Sequence, residues 1–367
     1  MVMALSGKKI NIEKCNTEMK LSSDVRDKNG AILVSTGMQL TESILEKLKV
    51  YGIEELDIVV EEVTEITKEP VAEDLSITNE KIIRKIEELK PKVNIQSNGY
   101  YNNIIKIMED VVEDIKKKGT INISSIKKIG KIIYKEIRSK NSILVCIELA
   151  NKKGNKKYNS HIDVAIMGGL LGKWRGLSSK KVYNIILAGL LRDIGLYTLP
   201  KDLFIDGEMS EKNLALYKKH PLIAYEMIVK IKSIDVEVKK MVITHHENQV
   251  GTGYPLSLNS EKQSLESKIL QVADRFNIYF KDKSREGIIE TLQEFYNNEI
   301  THLDYECMKV FVKNILWNNL GRYVLLSDKS VGEIVFISEV DRFKPLIRIE
   351  DKIIDLSRND LKIIKII

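Results

Sequence analysis

Apolar residues along this chain recur with two different periods, and the change of period divides it. From residue 99 to about 318 they return every three to four positions, as on one face of a helix. This pattern predicts helices near 101–117, 124–139, 160–174, 179–194, 210–219, 221–232, 235–246, 265–281, 286–297 and 304–317. Ser124, Ser160 and Ser210 stand at plausible N-cap positions. From 321 the period falls to two: "RYVLLSDKSVGEIVFI" and "LIRIEDKIIDL" read as hairpins turning at Asp328–Gly332 and Glu350–Lys352. Near the start, "DKNGAILV" sets Asn29-Gly30 between apolar segments, a hairpin signal. Thr41 can cap a helix, "TESILEKLKVYG", and "IEELDIVV" reads as a closing strand.

The expected fold class is therefore mainly α, a helical domain flanked by a small N-terminal α/β module and a small C-terminal β module. The expected domains are a regulatory α/β module at 1–60, a charged linker at 61–98, the helical domain at 99–318 and the β module at 319–367. Pro70 and Pro91 interrupt the linker, which argues against a long coiled coil there.

Composition narrows the function classes. The 367 residues carry a net charge of +6, from 58 basic and 52 acidic side chains, too balanced to predict a nucleic-acid polymer as partner. Three widely spaced cysteines, Cys15, Cys146 and Cys307, form neither a disulfide framework nor a zinc ribbon. No uncharged apolar run reaches the ~20 residues that span a bilayer. The charged N-terminal stretch "MVMALSGKKINIEK" is a poor signal peptide, so a cytoplasmic protein is expected.

The chemistry lies in the helical region. Four of the five histidines, His161, His220, His245 and His246, fall on or beside predicted helices. Asp193 and Asp274 lie inside apolar helical runs. Any one of these alone reads more readily as a cap or a satisfied core acceptor. Six imidazoles and carboxylates on helices that must share one core read as a metal cluster, the usual ligand chemistry of Mn, Fe and Zn.

The order His161, Arg192-Asp193-Ile194-Gly195, His220-Pro221, His245-His246-Glu247, Gly253-Tyr254-Pro255 and Ala273-Asp274 resembles the HD-GYP domain family over about residues 100–318. That family consists of HD-type helical bundles that hydrolyse cyclic di-GMP with bound metals. The resemblance implies one metal position at His161, Asp193 and Asp274. It implies a second at Asp193, His220, His245 and His246, with Asp193 bridging and carrying the catalytic role. It also implies that Tyr254 stacks on a guanine base or packs beneath its loop. Lys283 would contact a ligand phosphate or remain a solvated lysine.

Five positions depart from the family pattern. Arg192 stands where the family has a metal-ligating His, and Leu196 where it has a Lys implicated in proton delivery. Val250 replaces the Asp of an Asp-Gly pair, and Asn277 replaces a further Asp. Lys157 stands where some members carry a Glu for a third metal. Arginine only donates and cannot ligate a metal. The expectation is one divalent ion, Fe or Mn, rather than two, and weak or lost phosphodiesterase activity toward cyclic di-GMP or a related cyclic dinucleotide. The alternative is a non-catalytic sensor of cyclic dinucleotide or metal, or a module that docks a signalling protein.

Overall fold

The computed structural model describes residues 7–16, 19, 21–23, 25–26, 32–34, 40, 45, 48, 53–59, 96–138, 158–200, 210–281, 287–338 and 341–366. The chain divides into two compact units, Met1–Ser76 and Ile77–Ile367.

In the first unit, β1 (Gly7–Asn11) pairs antiparallel with β4 (Glu55–Val59), and β2 (Val25–Arg26) pairs with β3 (Ile32–Val34). Ile12, Leu21, Val25, Leu40, Leu48, Leu56 and Ile58 form its core. The Asn29-Gly30 turn and the Thr41 cap lie outside the described residues, although Leu45 and Leu48 are helical.

The second unit is built on helices. In chain order these are α1 (Gln96–Lys118), α2 (Ile123–Glu136), α3 (Asn159–Trp174), α4 (Ser179–Leu191), α5 (Glu211–Tyr217), α6 (His220–Val229), α7 (Val236–Thr244), α8 (Leu265–Lys281), α9 (Ile288–Glu299) and α10 (Tyr305–Trp317). The chain as a whole is mainly helical, with small sheets toward its two ends. No described helix is long and apolar enough to cross a membrane.

Helix α3 is the hub. Every residue from His161 to Gly172 is buried, as in a helix surrounded by others, and it packs against α1, α2, α4, α8 and α10. Small residues set its distance from α4. A Cβ on Gly189 would lie 2.7 Å from the Ala165 Cα, so the two backbones can meet only with glycine there.

Helix α1 begins before the expected start and runs through Asn98-Gly99. A helical glycine costs about 1 kcal/mol. The buried face of Tyr101, Ile104, Ile105, Met108, Val111, Val112 and Ile115 anchors the helix regardless. Helix α4 stops at Leu191, short of the expected 194, and a 3-10 turn follows at Ile194–Thr198. Two caps also differ. Asn122, not Ser124, caps α2 by accepting from the Ser125 N–H at 3.1 Å. Helix α3 starts at Asn159, and the Ser160 hydroxyl faces the site instead of capping. Ser210 caps α5 as expected.

The C-terminal sheet has the order β8 (Lys352–Asp355), β7 (Leu346–Ile349), β6 (Val331–Phe336), β5 (Tyr323–Leu326), β9 (Ile363–Ile366), with every neighbouring pair antiparallel. The β5–β6 and β7–β8 hairpins match the period-two pattern. Strand β9 adds an edge that the pattern did not signal. Val324, Leu326, Ile334, Ile347 and Leu356 enter the same hydrophobic core as the helices.

Gly189→Ala tests the α3–α4 contact. Forcing a methyl into this crossing should lower unfolding free energy by about 1–3 kcal/mol, read from the urea midpoint.

Candidate metal centre

Four helix ends and the middle of a fifth helix bring the polar residues to one place. His161 lies in the first turn of α3, Arg192 and Asp193 directly after α4, and His220 at the start of α6. His245 and His246 directly follow α7, and Asp274 projects from the middle of α8. Gly195 allows the approach, since a Cβ there would sit 2.3 Å from the His220 carbonyl oxygen.

Asp193, His220, His245 and His246 place one potential ligand atom each within 4.8 Å of all the others. The imidazole tautomers follow from the backbone. His220 Nδ1 lies 2.8 Å from the Tyr217 carbonyl and His245 Nδ1 2.8 Å from the Val242 carbonyl. A carbonyl only accepts, so both Nδ1 atoms carry the proton and both Nε2 atoms present lone pairs. Those two Nε2 atoms are 3.3 Å apart, and lie 3.3 and 3.4 Å from Asp193 Oδ1. Three acceptors converging without a donor suit a cation between them. His246 Nε2 is buried with no hydrogen-bond partner, and burial followed by the neighbouring His245 and His220 holds this imidazole well below its usual pKa, hence neutral. The donor set fits a divalent transition-metal ion.

The other expected metal position is closed. Arg192 is 1% exposed, and its guanidinium is heavily engaged. Nε donates to Asp274 Oδ1 at 2.5 Å, Nη1 to the Gly189 and Ser160 carbonyls at 2.7 and 3.4 Å, and Nη2 to Ser160 Oγ at 2.9 Å, while Asp193 Oδ2 forms an ion pair with Nη2 at 2.9 Å. Burial works against this charge, but Asp193 and Asp274 outweigh it and raise the Arg192 pKa. Asp193 mirrors it: burial would raise its pKa, yet the Arg192 guanidinium beside it holds it well below the carboxylate range.

His161 stands apart from the four-residue cluster. Its Nδ1 bonds the Leu190 carbonyl at 2.9 Å and its Nε2 meets the Tyr197 hydroxyl at 2.8 Å. Burial, then Arg192, pushes its pKa down to about 4. Burial, then Asp193, pushes the Tyr197 phenol up, so it keeps its proton. Asp274 holds Arg192 and approaches His246 Nδ1 only to 3.7 Å.

The remaining expected residues are placed as follows. Asn277 donates from Nδ2 to Ser160 Oγ at 2.8 Å and so steadies the oxygen that receives Arg192. Leu196 lines the adjoining cavity as an apolar wall. Val250 is exposed in the loop before Tyr254 and bridges to Asn259. The Tyr254 ring packs on His246, with centroids 4.7 Å apart, and is not among the cavity walls. Lys283 and Lys157 lie outside the described residues.

Ser160, Tyr197 and Glu247 do structural work that the sequence reading did not assign. Glu247 accepts from the Leu256 and Leu258 N–H groups at 2.7 and 2.8 Å, tying the Tyr254 loop to the helix end that carries His245 and His246. Gly253 fits beneath it because a Cβ would lie 2.4 Å from the Glu247 Cα. A cavity of about 930 Å³ opens beside the cluster, with Lys116, Lys117, Glu113 and Lys281 among its walls.

These features define a helical domain with a His/Asp cluster suited to a metal ion. Residues 145–306 match the family described as HD domain. Its relatives include proteins named cyclic di-GMP phosphodiesterases and others named 3'3'-cGAMP-specific phosphodiesterases. Cyclic di-GMP phosphodiesterase PdeB of Borreliella burgdorferi is 26% identical over 275 residues, 74% of this chain and 72% of the relative. The response regulator RpfG of Xanthomonas campestris, a cyclic di-GMP phosphodiesterase, is 33% identical over 113 residues, only 30% of either chain. Among solved structures, Bd1817, an HDG"Y"P protein from Bdellovibrio bacteriovorus, shares the fold with a TM-score of 0.51 at 16% identity. That match covers 84% of this chain and 99% of the other.

Replacing Arg192 by Leu would leave Asp193 and Asp274 facing each other without a cation. In chelator-treated protein the loss should be about 3–5 kcal/mol of unfolding free energy. An unchanged denaturation midpoint would show that the two carboxylates do not depend on the guanidinium.

Proposed function

We propose that this protein binds cyclic di-GMP, or a related cyclic dinucleotide, beside a single divalent ion. Asp193, His220, His245 and His246 hold that ion, with Fe or Mn the best suited, and turnover is weak or absent. The observation that carries this reading is the pairing of one converging four-residue ligand set with a neighbouring pocket filled by the Arg192 guanidinium. The activities of the relatives supply the ligand class. In the cavity wall Lys116, Lys117, Lys281 and Arg192 stand against Glu113, Asp193 and Asp274, a small cationic excess that suits an anionic ligand.

When bound, such an ion supplies Lewis acidity toward a phosphoryl oxygen and lowers the pKa of a coordinated water. The Nδ1–H bonds of His220 and His245 orient their rings toward it. Arg192 adds positive charge beside a bound phosphate, with its donors already largely committed to Asp274, Ser160 and Gly189. Leu196 offers no proton to a leaving oxygen, a contribution typically worth ~10²–10⁴-fold. Asp193 has one oxygen on the histidines and one on Arg192, so only the first would be free to hold an ion.

The heavily engaged guanidinium and the apolar residue at 196 also favour a second reading: a non-catalytic cyclic-dinucleotide or metal sensor, in the cytoplasm, that passes its state to a signalling partner. Tight binding of cyclic di-GMP in equilibrium dialysis with no linear product would select it.

Elemental analysis after anaerobic purification should find about one ion per chain, lost in His220→Ala and His245→Ala. Two ions per wild-type chain would refute the single-ion reading. Leu196→Lys should raise cyclic di-GMP hydrolysis about 10²-fold if proton delivery limits it.

A further inference from the structure

Two groups, not one, stand between this site and a second metal ion. Arg192 fills the pocket, but His161, the histidine that would serve an ion there, is itself taken. Its Nδ1 faces the Leu190 carbonyl at 2.9 Å, which fixes the proton on that nitrogen. The Nε2 lone pair is then an acceptor, and it meets the Tyr197 hydroxyl at 2.8 Å. The rings lie 5.6 Å apart at 30°, so the phenol caps the imidazole edge rather than passing it.

Resting on the single-ion reading above, we propose that Tyr197 is a positioning residue that withholds His161 from metal, independently of Arg192. Restoring a histidine at 192 would therefore not restore a second metal site by itself.

The placement of Tyr197 is built in. It belongs to the 3-10 turn Ile194–Thr198, which is pinned by the Leu196 N–H on the Asp193 carbonyl and by Thr198 Oγ1 on the Gly195 carbonyl. The same turn carries Gly195, seated against the His220 backbone with no space for a side chain. On its far side the Tyr197 ring meets Tyr158 at 6.0 Å, and the Lys116 ammonium lies 5.6 Å from both rings. These contacts hold the ring with its hydroxyl toward His161. An ion competing for His161 must break a partly buried hydrogen bond and leave the phenol without its acceptor.

Tyr197→Phe keeps the ring and removes only the donor. Cobalt(II) titration, followed by absorption and by elemental analysis, should give about one ion per chain for wild type, for Tyr197→Phe and for Arg192→His. The double variant Arg192→His/Tyr197→Phe should take two. The proposal is overturned if Arg192→His alone binds a second ion as tightly as the double variant, or if the double variant still binds one.

A second arm needs neither metal nor the variants at 192. In metal-free protein with ¹⁵N-labelled histidine, His161 should show protonated Nδ1 and a hydrogen-bonded Nε2, whose resonance moves in Tyr197→Phe. No movement would also overturn the proposal. If wild type binds no ion or two, the single-ion reading fails on its own, while the nitrogen spectra still decide whether Tyr197 holds His161.

Discussion

The polar centre of this domain depends on one buried ion-pair arrangement, Arg192 between Asp193 and Asp274. A guanidinium removed from water is costly unless its donors and its charge are both answered. Here two carboxylates answer the charge, and Ser160 and Gly189 take further donors. The arrangement ties the end of α4 to the first turn of α3 and to the middle of α8. It also commits one oxygen of Asp193 and one of Asp274, which leaves the other Asp193 oxygen for His220 and His245. The carboxylates of Asp193 and Asp274 thus share one covalently attached cation.

Much of this was legible in the sequence because helices are periodic and metal ligands are few kinds of residue. The helices from 101 to 317 follow from apolar spacing, and the HD-type order of histidines and aspartates singled out the residues that the fold gathers. Arg192 and Leu196 were conspicuous because each breaks a pattern. What escaped were residues whose chemistry depends on what stands opposite them. Ser160 carries the signature of an N-cap, yet its hydroxyl serves Arg192 and Asn277. Tyr197 is one aromatic among apolar neighbours, and only the turn after α4 aims it at His161. Strand β9 has the apolar run "LKIIKII" but no alternation, because it adds to a sheet that shares the core of the helices.

The Tyr254 ring covers His246 and approaches His220. The loop holding it is fastened by Glu247 and by the close seat of Gly253. Its work is to shield the imidazoles from water on that side, which lowers the local dielectric and strengthens every charge interaction inside.

The two halves of the centre are held by different kinds of matter. His220 and His245 are aimed by main-chain carbonyls three residues before them, which any sequence that keeps α7 and the turn before α6 will reproduce. The Arg192 side mixes main chain and side chains: the Gly189, Ser160 and Leu190 carbonyls hold Arg192 and His161, and the side chains of Asp274, Ser160 and Tyr197 complete the set. The imidazole pair therefore tolerates side-chain change around it, while the Arg192 side depends in part on side chains that a single codon change can alter.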